Sequence, residues 1–135
     1  MCIRDRVNPL AIETLREYGY PTDGLRSKRW DEFAGPAAPV MDFVFTVCDQ
    51  AAGEACPVWP GQPMTAHWGI EDPSHENREG LWKQAAFAQA FRYMRNRISV
   101  FVSLPFESLE RTSLNAKMGG IGQLEGASAR RPDVA

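Results

Sequence analysis

Two thiols and one carboxylate are the residues here whose types and spacing could do chemistry. Cys48 and Cys56 are separated by seven residues, Asp49–Ala55, three of them alanine and one of them Gly53. A loop that short and flexible can bring two sulfurs within disulfide range, which needs Cα atoms about 4.4–6.8 Å apart. The plainer alternative is two small buried hydrophobes, the usual state of free cysteines. Asp72 stands directly before Pro73. Asp-Pro is common at turns and helix entries, and a carboxylate on a proline-stiffened backbone also suits proton transfer. Glu71 beside it reads as solvated.

His67 and His75 raise the question of a zinc site with the two thiols. Such sites usually present ligand pairs a few residues apart, and no such pair occurs here, so no metal is expected. His67 reads as a structural histidine within a strand. Trp59 and Trp68 read as packing residues, and Arg92, Arg95 and Arg97 as the solvated face of a helix.

The elements that must position these residues follow from periodicity and breakers. Asn8-Pro9 predicts a helix start, with Asn as cap and Pro at the first helical position. Leu10, Thr14, Leu15 and Tyr18 share one face of that helix, and Gly19 ends it. Ser27 is expected to cap a short helix over Lys28–Phe33. Phe43–Val47 is an apolar run of the kind buried on both faces of a sheet. Met64–Trp68 predicts a second strand. Cys48 and Asp72 then emerge at the carboxyl ends of the two strands, where open α/β sheets form their ligand crevices.

Ser74 is expected to cap a long helix running to about Ser103, with Glu76 and Glu79 near its positive end. Its stripe of Leu81, Ala85, Ala88, Phe91, Met94, Ile98, Phe101 and Val102 should lie against a sheet. Pro105 stops it. A weaker helix follows over Phe106–Met118, ended by Gly119-Gly120, and residues 123–135 are expected to form a disordered tail. This order predicts an α/β protein, a sheet with helices on both faces.

Bulk composition excludes some functions. The 135 residues suggest one domain, and the net charge of −2 gives no electrostatic basis for binding nucleic acid or an anionic membrane. No apolar run approaches the roughly 20 residues needed to span a bilayer. Three cysteines without a secretory signal predict a reducing compartment, hence a cytoplasmic protein.

The segments TVCDQAAGEACPVWPG and HWGIEDP, with VNPLAIETLREYGY and LRSKRWDEF upstream and RNRISVFVSLP downstream, together resemble the arsenate reductases of the low-molecular-weight tyrosine-phosphatase superfamily. The resemblance runs from about Val7 to Gly122. It implies a three-layer, flavodoxin-like parallel sheet. It also implies an amino-terminal strand and a phosphate loop of pattern Cys, five residues, Arg, and neither is found here. The sheet is accordingly expected to be incomplete, the chain to be the amino-terminally truncated part of a longer enzyme, and residues 1–6 to be a non-native leader.

The resemblance also implies roles. A phosphate-loop cysteine attacks arsenate. Cys48 then displaces arsenite by forming a disulfide with that cysteine, and Cys56 resolves this disulfide. An external thiol reductant, of thioredoxin, glutaredoxin/glutathione or mycothiol type, would reduce the resulting pair. Asp72 would serve as general acid or base, and no bound cofactor is implied. Two rival readings stand beside this one. A low-molecular-weight protein-tyrosine phosphatase would need the aspartate but no relay. A non-catalytic phosphatase-like module would bind a partner or sense redox state.

Overall fold

The computed structural model describes residues 6–33, 35–47 and 62–128. Cys48, Cys56 and Trp59 lie outside the described residues, as do Cys2 and the end of the chain.

Helix α1 spans Pro9–Glu17. Asn8 caps it as expected, its side-chain oxygen accepting from the Leu10 amide at 2.9 Å, with Pro9 at the first position, where no amide bond is lost. Thr14 is buried and donates its hydroxyl to the Leu10 carbonyl at 2.7 Å. The helix ends at Tyr18-Gly19, where Gly19 adopts φ +81°. The next element is a single 3₁₀ turn at Trp30–Phe33, starting two residues later than the expected helix. The preceding loop is tied to it by a bidentate pair between Arg26 and Glu32, at 2.7 and 3.2 Å.

Strands β1, Phe43–Thr46, and β2, Met64–His67, pair in parallel with Phe43 opposite Met64 and Thr46 opposite His67. The fold is α/β with a parallel sheet, of two strands among the described residues. The expectation that β1 is buried on both faces is not met, because all four of its residues are only half-buried. Among the described residues β1 pairs with β2 alone, and a strand paired along one side is covered less than one flanked on both.

Met64, Leu114 and Met118 form the centre of the core, with Phe43, Phe45, Ala66, Phe101, Leu104 and Leu109 packed around them. Phe101 meets Phe43, Phe45 and Phe106 edge-on, with ring centroids 5.1–5.2 Å apart. Edge-to-face packing of this kind favours the ring quadrupoles.

The long helix, α2, spans Leu81–Val102, so it starts seven residues after the expected cap, Ser74. Gly80 sets that boundary: its φ of +70° and ψ of −130° lie outside the helical basin, so no helix can run through it. The apolar stripe is also split. Phe91 stacks on Tyr18 of α1 at 4.3 Å, whereas Phe101 faces the sheet. Leu81 is 81% exposed, and Ile98 and Val102 are also open. A correction concerns Arg97, expected on the solvated face and here fully buried at 0% exposure. It lies three residues after Met94 and four before Phe101, which places it on the inward side of the helix.

A 3₁₀ turn at Phe106–Ser108 leads to α3, Arg111–Ile121. Gly119 and Gly120 do not terminate this helix; Gly122 does. Met118 and Ile121 are both buried, and their burial carries the helix across the two glycines. Residues Gln123–Ser128, which composition assigns to the tail, turn back along the segment that follows β2: Ile70 and Ala127 form an antiparallel bridge. No helix among the described residues is long and apolar enough to cross a membrane.

Candidate active site

The ladder between the strands continues past their formal ends. The Trp68 amide donates to the Thr46 carbonyl at 2.7 Å, and the Ile70 amide to the Val47 carbonyl at 3.2 Å. Val47, which leads into Cys48, and Gly69–Asp72 therefore leave the sheet at the same carboxyl edge. That edge is where ligand sites of open α/β sheets form. The structure brings Asp72 there; where Cys48 and Cys56 lie is outside the described residues.

Asp72 caps the 3₁₀ turn Pro73–His75. Its Oδ1 accepts from the Ser74 amide at 2.8 Å and from the Ser74 hydroxyl at 2.6 Å. Its Oδ2 lies 3.6 Å from Nε2 of His75, and the Asp72 side chain is 34% exposed. Proline fixes the backbone directly after it. One carboxylate oxygen thus anchors the turn, while the other faces the exposed imidazole. A carboxylate so held keeps its direction, which proton transfer to a bound substrate requires. Glu71 is exposed, as expected.

His67 reads as the structural histidine that was expected. It is half-buried, and its Nδ1 lies 2.7 Å from Thr46 Oγ1 across the strand pair. Among the described residues, no three of His, Cys, Asp and Glu converge as metal ligands would.

Beyond the turn, Glu76 folds its carboxylate onto the Arg78 guanidinium and amide, at 2.9 and 3.0 Å. The side-chain bond from Arg78, reinforced by the backbone amide, holds the Glu76 pKa down at about 2. Arg78 in turn sits 3.9 Å over the Trp82 ring. These contacts fasten the segment between the Asp72 turn and α2.

Trp68, 3% exposed, packs at a tilt on Phe45 and donates Nε1–H to the Met118 carbonyl at 2.9 Å. That bond locks the end of β2 to the end of α3. Gly122 then passes so close that a Cβ there would lie 2.5 Å from the His67 carbonyl oxygen. Sequence reasoning missed both Arg97 and Ser74 as supports of this region. The signals were present: Ser two residues after Asp is the donor position of an Asx turn, and Arg97 keeps helical phase with Met94 and Phe101.

The parallel sheet, the flanking helices and an aspartate at the sheet's carboxyl edge define an α/β phosphatase-like protein. The chain belongs to the low molecular weight phosphotyrosine protein phosphatase family, whose model matches residues 2–115. Among curated proteins it is similar to an arsenate reductase of Oceanobacillus iheyensis, with 33% identity over 70% of this chain and 66% of the relative. An arsenate reductase of Bacillus subtilis is 28% identical over the same shares. Arsenate reductase 2 of Staphylococcus epidermidis is 34% identical over 50% of this chain and 49% of its own length. The chain thus spans about two thirds, or less, of these relatives.

Proposed function

We propose that the chain is the carboxyl-terminal part of an arsenate reductase that converts arsenate to arsenite through a cysteine relay. The observation that carries this reading is the anchored Asp72 at the edge where β1 delivers the chain to Cys48. Its relatives are arsenate reductases, which supplies the substrate class.

In the intact parent, a phosphate-loop thiolate bonds to arsenic and a hydroxyl leaves the arsenate, protonated by Asp72 to water. The Cys48 thiolate attacks the sulfur of that adduct. The S–As bond breaks, its electron pair reduces As(V) to As(III), arsenite departs, and a disulfide forms. Cys56 then attacks the Cys48 sulfur, freeing the first thiolate and leaving a Cys48–Cys56 disulfide. Each exchange needs an accessible thiolate, and an external thiol reductant in the cytoplasm closes the cycle. The 135 residues contain no cysteine followed after five residues by arginine, so this polypeptide by itself should be inactive.

Tryptic mass spectrometry tests the relay directly. No Lys or Arg lies between Arg29 and Arg78, so both thiols fall in one peptide. Mild oxidation should remove two hydrogens from that peptide and block its alkylation, with Cys2 left out. Two free thiols, or Cys2 as the main partner, would overturn it. The family match favours a second reading, a protein-tyrosine phosphatase, in which both thiols are dispensable.

A further inference from the structure

We infer that Gly122–Ser128 is a strap that holds the Asp72 loop in place, and that Arg97 is the positioning residue that anchors it. The inference rests on reading Asp72 as the proton-handling carboxylate.

The strap runs beside the four residues that follow Ala66 in the chain. Gly122 lies against the His67 carbonyl and the Trp68 ring. The Ser128 amide donates to the Gly69 carbonyl at 3.1 Å, and Ala127 bridges Ile70. Asp72 follows Ile70 by two residues. On its other side Ile70 is held by the Val47 carbonyl, so the backbone leading to the carboxylate is clasped between β1 and the strap.

Arg97 is what fastens the strap to α2. Its Nη2 donates to the Leu124 carbonyl and its Nη1 to the Tyr93 carbonyl, both at 3.3 Å. It is fully buried, and its Nε has no hydrogen-bond partner among the described residues. A buried guanidinium whose partners among the described residues are carbonyls, not a carboxylate, is costly. Burial also lowers its pKa, opposed by Tyr93. Filling that space with an apolar side chain would be the cheaper way to pack α2, but it would leave Leu124 unheld. The second fastening is steric. Gly126, at φ +92°, lies so close to the Tyr93 ring that any Cβ would overlap it. The strap thus touches α2 at Tyr93 and Arg97, one turn apart, and the Asp72 loop at Gly69 and Ile70.

Amide hydrogen exchange on the full chain tests the coupling. The Ser128 amide reports the strap, the Ser74 amide reports the Asp72 carboxylate, and the Trp68 and Leu114 amides report sheet and core. In Gly126→Ala and in Arg97→Met, protection at Ser128 and Ser74 should fall together by about 10-fold or more, while Trp68 and Leu114 keep theirs. Arg97→Lys, which can still donate to Leu124, should recover part of both. Loss at Ser128 with Ser74 unchanged would overturn the inference, as would full protection of Ser128 in Gly126→Ala. Loss at Trp68 and Leu114 in both variants would overturn it too, because the segment would then hold the core rather than the loop. None of these readouts requires turnover. A failed coupling is therefore distinct from a failure of Asp72 as acid, which appears only as an Asp72→Asn enzyme of normal rate.

Discussion

Oδ1 of Asp72 accepts two hydrogen bonds from one residue, the amide and the hydroxyl of Ser74, at 2.8 and 2.6 Å. This pairing separates the structural work of the aspartate from the chemistry assigned to it. An asparagine keeps the accepting oxygen and loses the proton-transfer capacity together with the charge facing His75. Asp72→Asn should therefore leave thermal stability near that of the parent chain, whereas Asp72→Ala should cost about 0.5–2 kcal/mol as a lost cap. In an arsenate-reducing form of the protein, Asp72→Asn should slow turnover by roughly 10²–10⁴-fold. Thermal melts and single-turnover rates check the two halves.

The thiols should fail in different ways. Joined to the strand and phosphate loop of a relative, the chain should reduce arsenate. Cys48→Ser should then abolish arsenite release, because no thiol attacks the adduct. Cys56→Ser should permit about one turnover per enzyme before the first disulfide traps it. Quenched-flow measurement of arsenite against enzyme concentration distinguishes these, and unchanged multiple turnover in both variants would favour the phosphatase reading.

Glycines at the end of α3 should respond with opposite signs. Gly119 is helical with open space where a Cβ would stand, so Gly119→Ala should stabilise by about 0.5–1 kcal/mol. Gly122→Ala would place its Cβ 2.5 Å from the His67 carbonyl and 2.9 Å from the Trp68 ring. It should destabilise by roughly 1–3 kcal/mol. Urea denaturation of the two variants is the check.

Glu76 should titrate with a midpoint of about 2 instead of the ordinary 4.5. A carboxylate whose pKa is depressed by folding stabilises the native state above its unfolded pKa. That contribution is lost as pH falls from about 4.5 towards 2. NMR titration of the Glu76 side-chain carbonyl should show the low midpoint, and Arg78→Ala should return it towards the ordinary value.

The sequence by itself determined what depends on neighbours in the chain. Asn8-Pro9 starts α1 because a cap and a proline act within one turn, and the aromatic and β-branched run from Phe43 forms β1. Asp72-Pro73 makes a turn at the sheet edge for the same local reason. Tertiary structure decided what depends on distant burial. Gly119 and Gly120 read as a stop, yet α3 passes through them because Met118 and Ile121 on either side are buried. Ser74 reads as the cap of a long helix, but it is the donor to Asp72, and Gly80 starts α2 instead. Arg97 reads as a solvated cation because arginine usually is one. In the folded chain it is fully buried and donates to the Leu124 carbonyl, which returns beside α2. A residue's charge is written in the sequence; whether water reaches it depends on a segment 27 residues away.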